Sequence, residues 1–107
     1  MQIQIKGTKI DLTPELKDYV QEKMDMLEKY LGSIAVSHCE VELEKALATQ
    51  NSGKIYRAEV NLSLPGELLR VEKTTDDINK AIDKVKDHLE LMIKKYKEKK
   101  IDKKRGK

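Results

Sequence analysis

Glu40, Glu42 and Glu44 alternate with Cys39, Val41 and Leu43, so in an extended strand their carboxylates share one face about 6–7 Å apart. That separation suits paired carboxylates acting as acid and base, which makes a small hydrolase one reading of the chain. The competing reading is an exposed sheet face on which Arg57 and Arg70, from neighbouring strands, balance the acids. His38 and Cys39 are adjacent and have the types of a metal or nucleophile pair. Consecutive strand residues point to opposite faces, so these two do not converge. Two scattered His with one Cys make no zinc spacing, and neither a metal nor another cofactor is expected. Cys39 reads as a small core residue. Gly53 and Gly66 stand alone in turns, outside any phosphate-binding loop. No catalytic reading is favoured, and no small-molecule substrate is expected.

The basic residues carry more information. Lys94 to Lys107 hold nine Lys or Arg against two acids, a local +7 in a 107-residue chain whose net charge is +3. Residues 75–107 carry +5 and residues 1–74 carry −2. Such polarity suits a polyanion, either nucleic acid or an anionic membrane. At helical spacing Lys80, Lys84, His88 and Lys95 form one row, Lys86, Lys94 and Lys97 take other outward positions, and Lys99 and Lys100 extend the charge. Lys23 and Lys29, with Lys9, extend the same surface, and Arg70 is a further contact. Intrahelical pairing of Asp76 with Lys80, Asp83 with Lys86, Asp87 with Lys84 and Glu90 with Lys94 would neutralise the first part of this helix. Beyond Lys95 the acids are nearly absent.

An interfacial helix needs bulky apolar groups free for the headgroup layer, and no stretch approaches the ~20 apolar residues of a membrane span. There is no Phe or Trp, and of four Tyr three (Tyr19, Tyr56 and Tyr96) look inward. Base stacking is therefore not the expected mode. What remains is structured RNA or duplex, held by phosphates and shape.

The elements that must present these lysines follow from periodicity. Ile3 and Ile5 alternate with polar residues in a strand over residues 2–6, which Gly7 ends. Thr13, Pro14 and Glu15 open a helix whose stripe is Leu16, Val20, Met24, Leu27 and Leu31, widened by Tyr19 and Tyr30 and stopped by Gly32. Ile34 and Val36 are out of phase with Cys39, Val41 and Leu43, which predicts an irregularity near Ser37 or a strand that starts late. Ala48 to Gly53 form a turn-forming run between two strands. Tyr56, Ala58, Val60, Leu62 and Leu64 face inward on the next strand, and Pro65-Gly66-Glu67 turns it into another carrying Leu69 and Val71. Close turns favour antiparallel neighbours. Thr74 and Asp77 have capping-box spacing before a helix with the stripe Ile78, Ile82, Val85, Leu89, Met92 and Tyr96, expected to fray after about Lys99. The order is β-α-β-β-β-α: a two-layer α+β domain over residues 1–100, with two helices on one face of a four-stranded sheet. Residues 101–107 read as a basic disordered tail or the start of a linker. A single cysteine fits a reducing cytosol, and the strand-like start gives no expectation of a signal peptide.

The opening MQIQIKGTKIDLTPELKDYVQEKMDMLEKYL, the strand pair ending in AEVNLSLPGELLRVE, and TTDDINKAIDKVKDHLELMIKKYKEK resemble the ribosome hibernation-promoting factor family. That family includes the ribosome-associated inhibitor once called protein Y and bears the older name sigma-54 modulation protein. The likeness covers nearly the whole chain. It implies a fold akin to double-stranded RNA-binding domains, and a cytoplasmic, non-enzymatic protein that binds the small ribosomal subunit and its ribosomal RNA. By occupying the decoding channel it would block translation and promote ribosome hibernation under stress. Asn79 departs from the family's usual aromatic at that position. Longer members carry a further C-terminal domain that pairs ribosomes, so this chain is either a short-type factor, monomeric in isolation, or the amino-terminal part of a longer one. A protein-interaction module regulating transcription through the glutamate face is the alternative.

Overall fold

The alternation of Ala58, Val60, Leu62 and Leu64 becomes the middle of the molecule. In this computed structural model, which describes residues 1–47 and 54–105, these four side chains are buried in β3 (Lys54–Leu64). β3 pairs antiparallel with β2 (His38–Leu47) on one side and β4 (Glu67–Thr75) on the other. Register carries one apolar face across all three strands: Cys39 opposes Leu62 and Val41 opposes Val60, while Val71 and Leu69 flank the same two residues from β4. β1 (Gln4–Thr8) adds to β2 in parallel, giving the order β1-β2-β3-β4. Parallel pairing requires a crossover connection, supplied here by α1 (Pro14–Asp25) and the single turn α2 (Glu28–Leu31).

The fold is thus the expected two-layer α+β arrangement, with several local corrections. β1 begins at Gln4 and passes through Gly7 to Thr8, so Gly7 does not end it. A Cβ at Gly7 would lie 2.9 Å from Leu12 Cγ and 3.0 Å from the Ile10 carbonyl oxygen; the glycine admits the loop that returns beside the strand. α1 starts as expected, the Leu16 N–H donating to Thr13 Oγ1 at 3.1 Å with Pro14 in the first position. The first helical arm is not continuous to Gly32. At Leu27 the backbone N–H donates to the Met24 carbonyl, three residues back, and α2 restarts beyond it. Such 3₁₀ tightening is usual at a helix end, and it leaves Met24, Leu27 and Leu31 all buried.

β2 starts late, at His38, after the out-of-phase Ile34 and Val36. The expected turn over Ala48 to Gly53 lies outside the described residues. Pro65 and Gly66 make a two-residue turn with Gly66 at φ 78°, the conformation of a type II turn. α3 (Ile78–Arg105) is capped by Asp77 instead of Thr74: Thr75 still belongs to β4, and the Asn79 N–H donates to Asp77 Oδ1 at 2.9 Å. α3 also continues past Lys99 to Arg105. From Lys97 to Arg105 there is no Gly or Pro, and Lys, Glu, Ile and Arg sustain a helix without an apolar stripe.

Leu89 sits fully buried against the sheet, whereas Leu91 on the same helix is 57% exposed. Leu89→Ala is expected to lower unfolding free energy by about 2–5 kcal/mol and Leu91→Ala by less than about 0.5 kcal/mol. Chemical denaturation of the two variants checks the difference.

Candidate nucleic-acid interface

α3 lies along β3 and β4 with Ala81, Ile82, Val85, Leu89, Ile93 and Tyr96 buried. It runs back toward the β3–β4 turn, where the Tyr96 hydroxyl donates to the Pro65 carbonyl at 2.7 Å. With that face occupied, the lysines project along two flanks, one toward β4 and one toward α1 and α2.

The β4 flank presents Lys80, Lys84, His88, Lys95 and Lys99, all exposed. From Lys80 to Lys99 this row spans about 28 Å at the rise of an α-helix. Lys80 pairs with Asp76 at 3.3 Å and Lys99 with Glu67 at 3.4 Å. Lys84, His88 and Leu91 line a depression of about 310 Å³ that Lys73 of β4 closes from the other side.

On the opposite flank the ion pairs differ from those the spacing suggested. Asp83 does not reach Lys86; it accepts from the Tyr19 hydroxyl at 2.5 Å and lies 3.4 Å from Lys23. Lys86, 14% exposed, is held by Glu90 at 2.7 Å and Asp87 at 2.9 Å. Glu90 foremost, then Asp87, keep its ammonium protonated well above the usual lysine range. Asp87 is thereby turned from Lys84, and Glu90 from Lys94. Farther along, Lys29 and Lys94 each place Nζ 5.3 Å from the centroid of the Tyr30 ring, and Lys97 donates to the Tyr30 carbonyl at 2.8 Å. Lys100 sits 5.4 Å from the Tyr96 ring centroid.

Among the described residues, Lys29, Lys84, Lys94, Lys95, Lys97 and Lys100 have no carboxylate within ion-pair distance. These six exposed ammonium groups, with Lys80 and Lys99 only loosely paired, form the cationic surface. Lys23 and Lys86 lie at its border with their charges offset. Arg70 stands apart: it belongs to the open face of the sheet, where Nε donates to Glu59 at 2.6 Å. Nothing in the spacing marks Tyr30 as an organiser, because that spacing is equally the one of the apolar stripe.

The open face carries an electrostatic network centred on Arg57. Arg57 contacts Glu44 at 2.8 Å, Glu59 at 3.0 Å, and Glu42 and Glu72 at 3.2 Å. Glu44 first, then Glu42 and Glu59, hold the guanidinium above its usual range; Arg57 in turn draws the Glu42 carboxyl below its own. Held in this way, the Glu42 carboxylate is a poor proton carrier. Burial pushes the Cys39 thiol up to about 11, and among the described residues no group of three His, Cys, Asp or Glu is placed to hold a metal. A cleft of about 920 Å³ lies elsewhere, between Lys9, Leu16, Tyr19, Lys45, Tyr56 and Asn79. Asn79 thus borders open space instead of filling a packed position. No helix among the described residues is long and apolar enough to cross a membrane.

Residues 3–101 match the model of the family described as sigma 54 modulation protein / S30EA ribosomal protein. The chain belongs to that family. Among its sequence relatives are the ribosome hibernation promotion factor of Deinococcus radiodurans, 33% identical over 98 residues, and that of Staphylococcus aureus strain COL, 30% identical over 99 residues. Each alignment covers 91% of this chain, but only 50% and 48% of those relatives, so the chain spans about half their length. The crystal structure of the Thermus thermophilus protein Y N-terminal domain superposes with a TM-score of 0.76 at 33% identity, covering 90% of this chain and 99% of that one. A ribosomal subunit interface protein from Coxiella burnetii, at 23% identity and TM-score 0.72, shares the fold over 91% of this chain and 98% of its own.

The Tyr19–Asp83 bond joins α1 to α3, and with desolvation and the Asp83 charge it pushes the Tyr19 hydroxyl up to about 12 from 10.0. Because the neutral phenol is favoured in the folded chain, its contribution is complete below pH 10.0 and is lost as pH rises toward about 12. Tyr19→Phe is expected to cost about 1 kcal/mol at neutral pH. Its deficit relative to the unaltered protein should shrink across that alkaline window, measured by denaturation at stepped pH.

Proposed function

We propose that this chain is a ribosome-associated hibernation factor. In this reading it is a cytoplasmic, non-enzymatic protein that docks on the ribosomal RNA of the small subunit, occupies the decoding channel and blocks translation. The observation that carries the proposal is the set of unpaired lysines on a helix whose apolar face is already used by the sheet. Phosphate is the chemistry that satisfies them, and A-form RNA offers phosphates and shape where base stacking is not available. The names of the Deinococcus and Staphylococcus relatives support the same assignment. Lys84, Lys94, Lys95, Lys97, Lys100 and Lys29 are the principal phosphate contacts. Lys80 and Lys99 exchange weak surface pairs for phosphate, and Lys23, Lys86 and Arg70 are minor partners. Inhibition is steric, and no covalent step is required. In sequence, Lys103, Lys104, Arg105 and Lys107 add further positive charge after Lys100.

The transcriptional alternative needs the glutamate face as its docking surface, and two of its three carboxylates, Glu42 and Glu44, are engaged by Arg57.

Counterion release makes such docking depend on salt. If all six unpaired lysines meet phosphates, affinity is expected to fall about a thousandfold between about 50 and 200 mM salt. Co-sedimentation with purified small subunits measures this, with chemical footprinting to show protection of decoding-site nucleotides. Replacing Lys94, Lys95 and Lys97 by Glu should remove binding while unfolding stability stays unchanged. Salt-independent retention, or full occupancy by the triple variant, overturns the assignment.

A further inference from the structure

Among the described residues, Tyr30 is the one that gathers lysines from two separate helices. Lys29 lies beside it on α2, and Lys94 comes from α3, each with its ammonium 5.3 Å from the ring centroid. Both distances fall within the range of cation–π attraction. The same residue's backbone carbonyl accepts a hydrogen bond from Lys97 at 2.8 Å. Lys94 and Lys97 are a turn apart on α3, so three ammonium groups converge on one half-buried tyrosine.

None of the three has a carboxylate partner among the described residues. Glu28, beside Lys29, is engaged with the Met1 amine at 2.8 Å and Glu90 with Lys86, while Glu98, adjacent to Lys97, forms no ion pair with any of the three. Three uncompensated cations repel one another. The ring's negative face and the carbonyl oxygen provide the attraction that keeps them together without neutralising them. A lysine held in place loses less rotamer freedom on meeting its ligand than one sampling solvent.

We infer that Tyr30 is a positioning residue: its ring pre-assembles Lys29 and Lys94, beside Lys97, into a discrete site for the phosphodiester backbone of structured RNA. This rests on the proposed ribosomal role and adds a residue to it that bears no charge. The site is separate from the Lys84–Lys95 row, since it lies on the opposite flank of α3, at the junction with α2.

The test compares Tyr30→Phe with Tyr30→Leu. Phe keeps the ring, and Leu keeps an apolar contact while removing the π face; the backbone carbonyl for Lys97 survives in both. Affinity for small subunits is expected to stay within about twofold for Tyr30→Phe and to fall about tenfold for Tyr30→Leu. Lys94→Ala should weaken binding in the Tyr background but much less in the Leu background, whereas Lys97→Ala should cost about the same in both. A role in folding alone would not create that selective non-additivity. NMR supplies a readout free of RNA: the Lys94 ε-methylene protons should show an upfield ring-current shift in the unaltered and Phe proteins and lose it in the Leu protein. Equal affinity of the Leu and Phe variants, or additive Lys94 effects, overturns this inference while leaving the ribosomal reading intact. Absence of binding by the unaltered chain overturns both.

Discussion

The contact on which the structure depends is the apolar stripe of α3 against β3 and β4. Ala81, Ile82, Val85, Leu89, Ile93 and Tyr96 are buried there with Val60, Leu62, Leu69 and Val71. A helix anchored along one face has only its flanks and crest left for solvent, and that is where its lysines stand. The helix is amphipathic in a demanding way: its polar side is largely of one sign toward the C-terminal end. Like charges at helical spacing oppose helix formation, so packing must overcome a local repulsion. Burying several large aliphatic side chains, each contributing about 1.5–3 kcal/mol, is sufficient to do so.

The two layers handle charge in opposite ways. On the open sheet face, acids and arginines satisfy one another, and the arrangement centres on Arg57, only 19% exposed, with four carboxylates around it. On the helical side, the cations from Lys94 to Lys100 meet aromatic rings and a carbonyl more often than carboxylates. The first arrangement offsets most of its charge internally. The second leaves charge that an external anion can neutralise.

Much of this was legible in the sequence, for identifiable reasons. Period-two alternation in residues 56–64 and helical spacing in residues 78–96 are strong signals, because each element buries a single face. Gly66 after Pro65 named its own turn, and Thr13 its own cap. Other features were hidden because they depend on partners distant in sequence. Nothing local tells that β1 runs parallel to β2, or that Gly7 serves a close approach of the following loop. The choice between Thr74 and Asp77 as cap rests on how far β4 extends, which pairing with β3 decides. Of the α3 ion pairs, Asp76 with Lys80 forms as its spacing predicts, whereas Asp83 is drawn from Lys86 by the Tyr19 hydroxyl and Lys23, on another helix. The lysines were legible as a population, but which were unpaired was not.

β4 is an outer strand of the sheet, paired only with β3 and nine residues long. An unpaired strand edge of that length is a template for unwanted self-association. Here Lys73 lies in the strand itself, and the Lys80-to-Lys99 row of α3 runs beside it, so two copies approaching edge to edge would face each other's ammonium groups. The same electrostatics that welcome a polyphosphate therefore guard the protein against sticking to itself, and screening by concentrated salt relaxes both effects together.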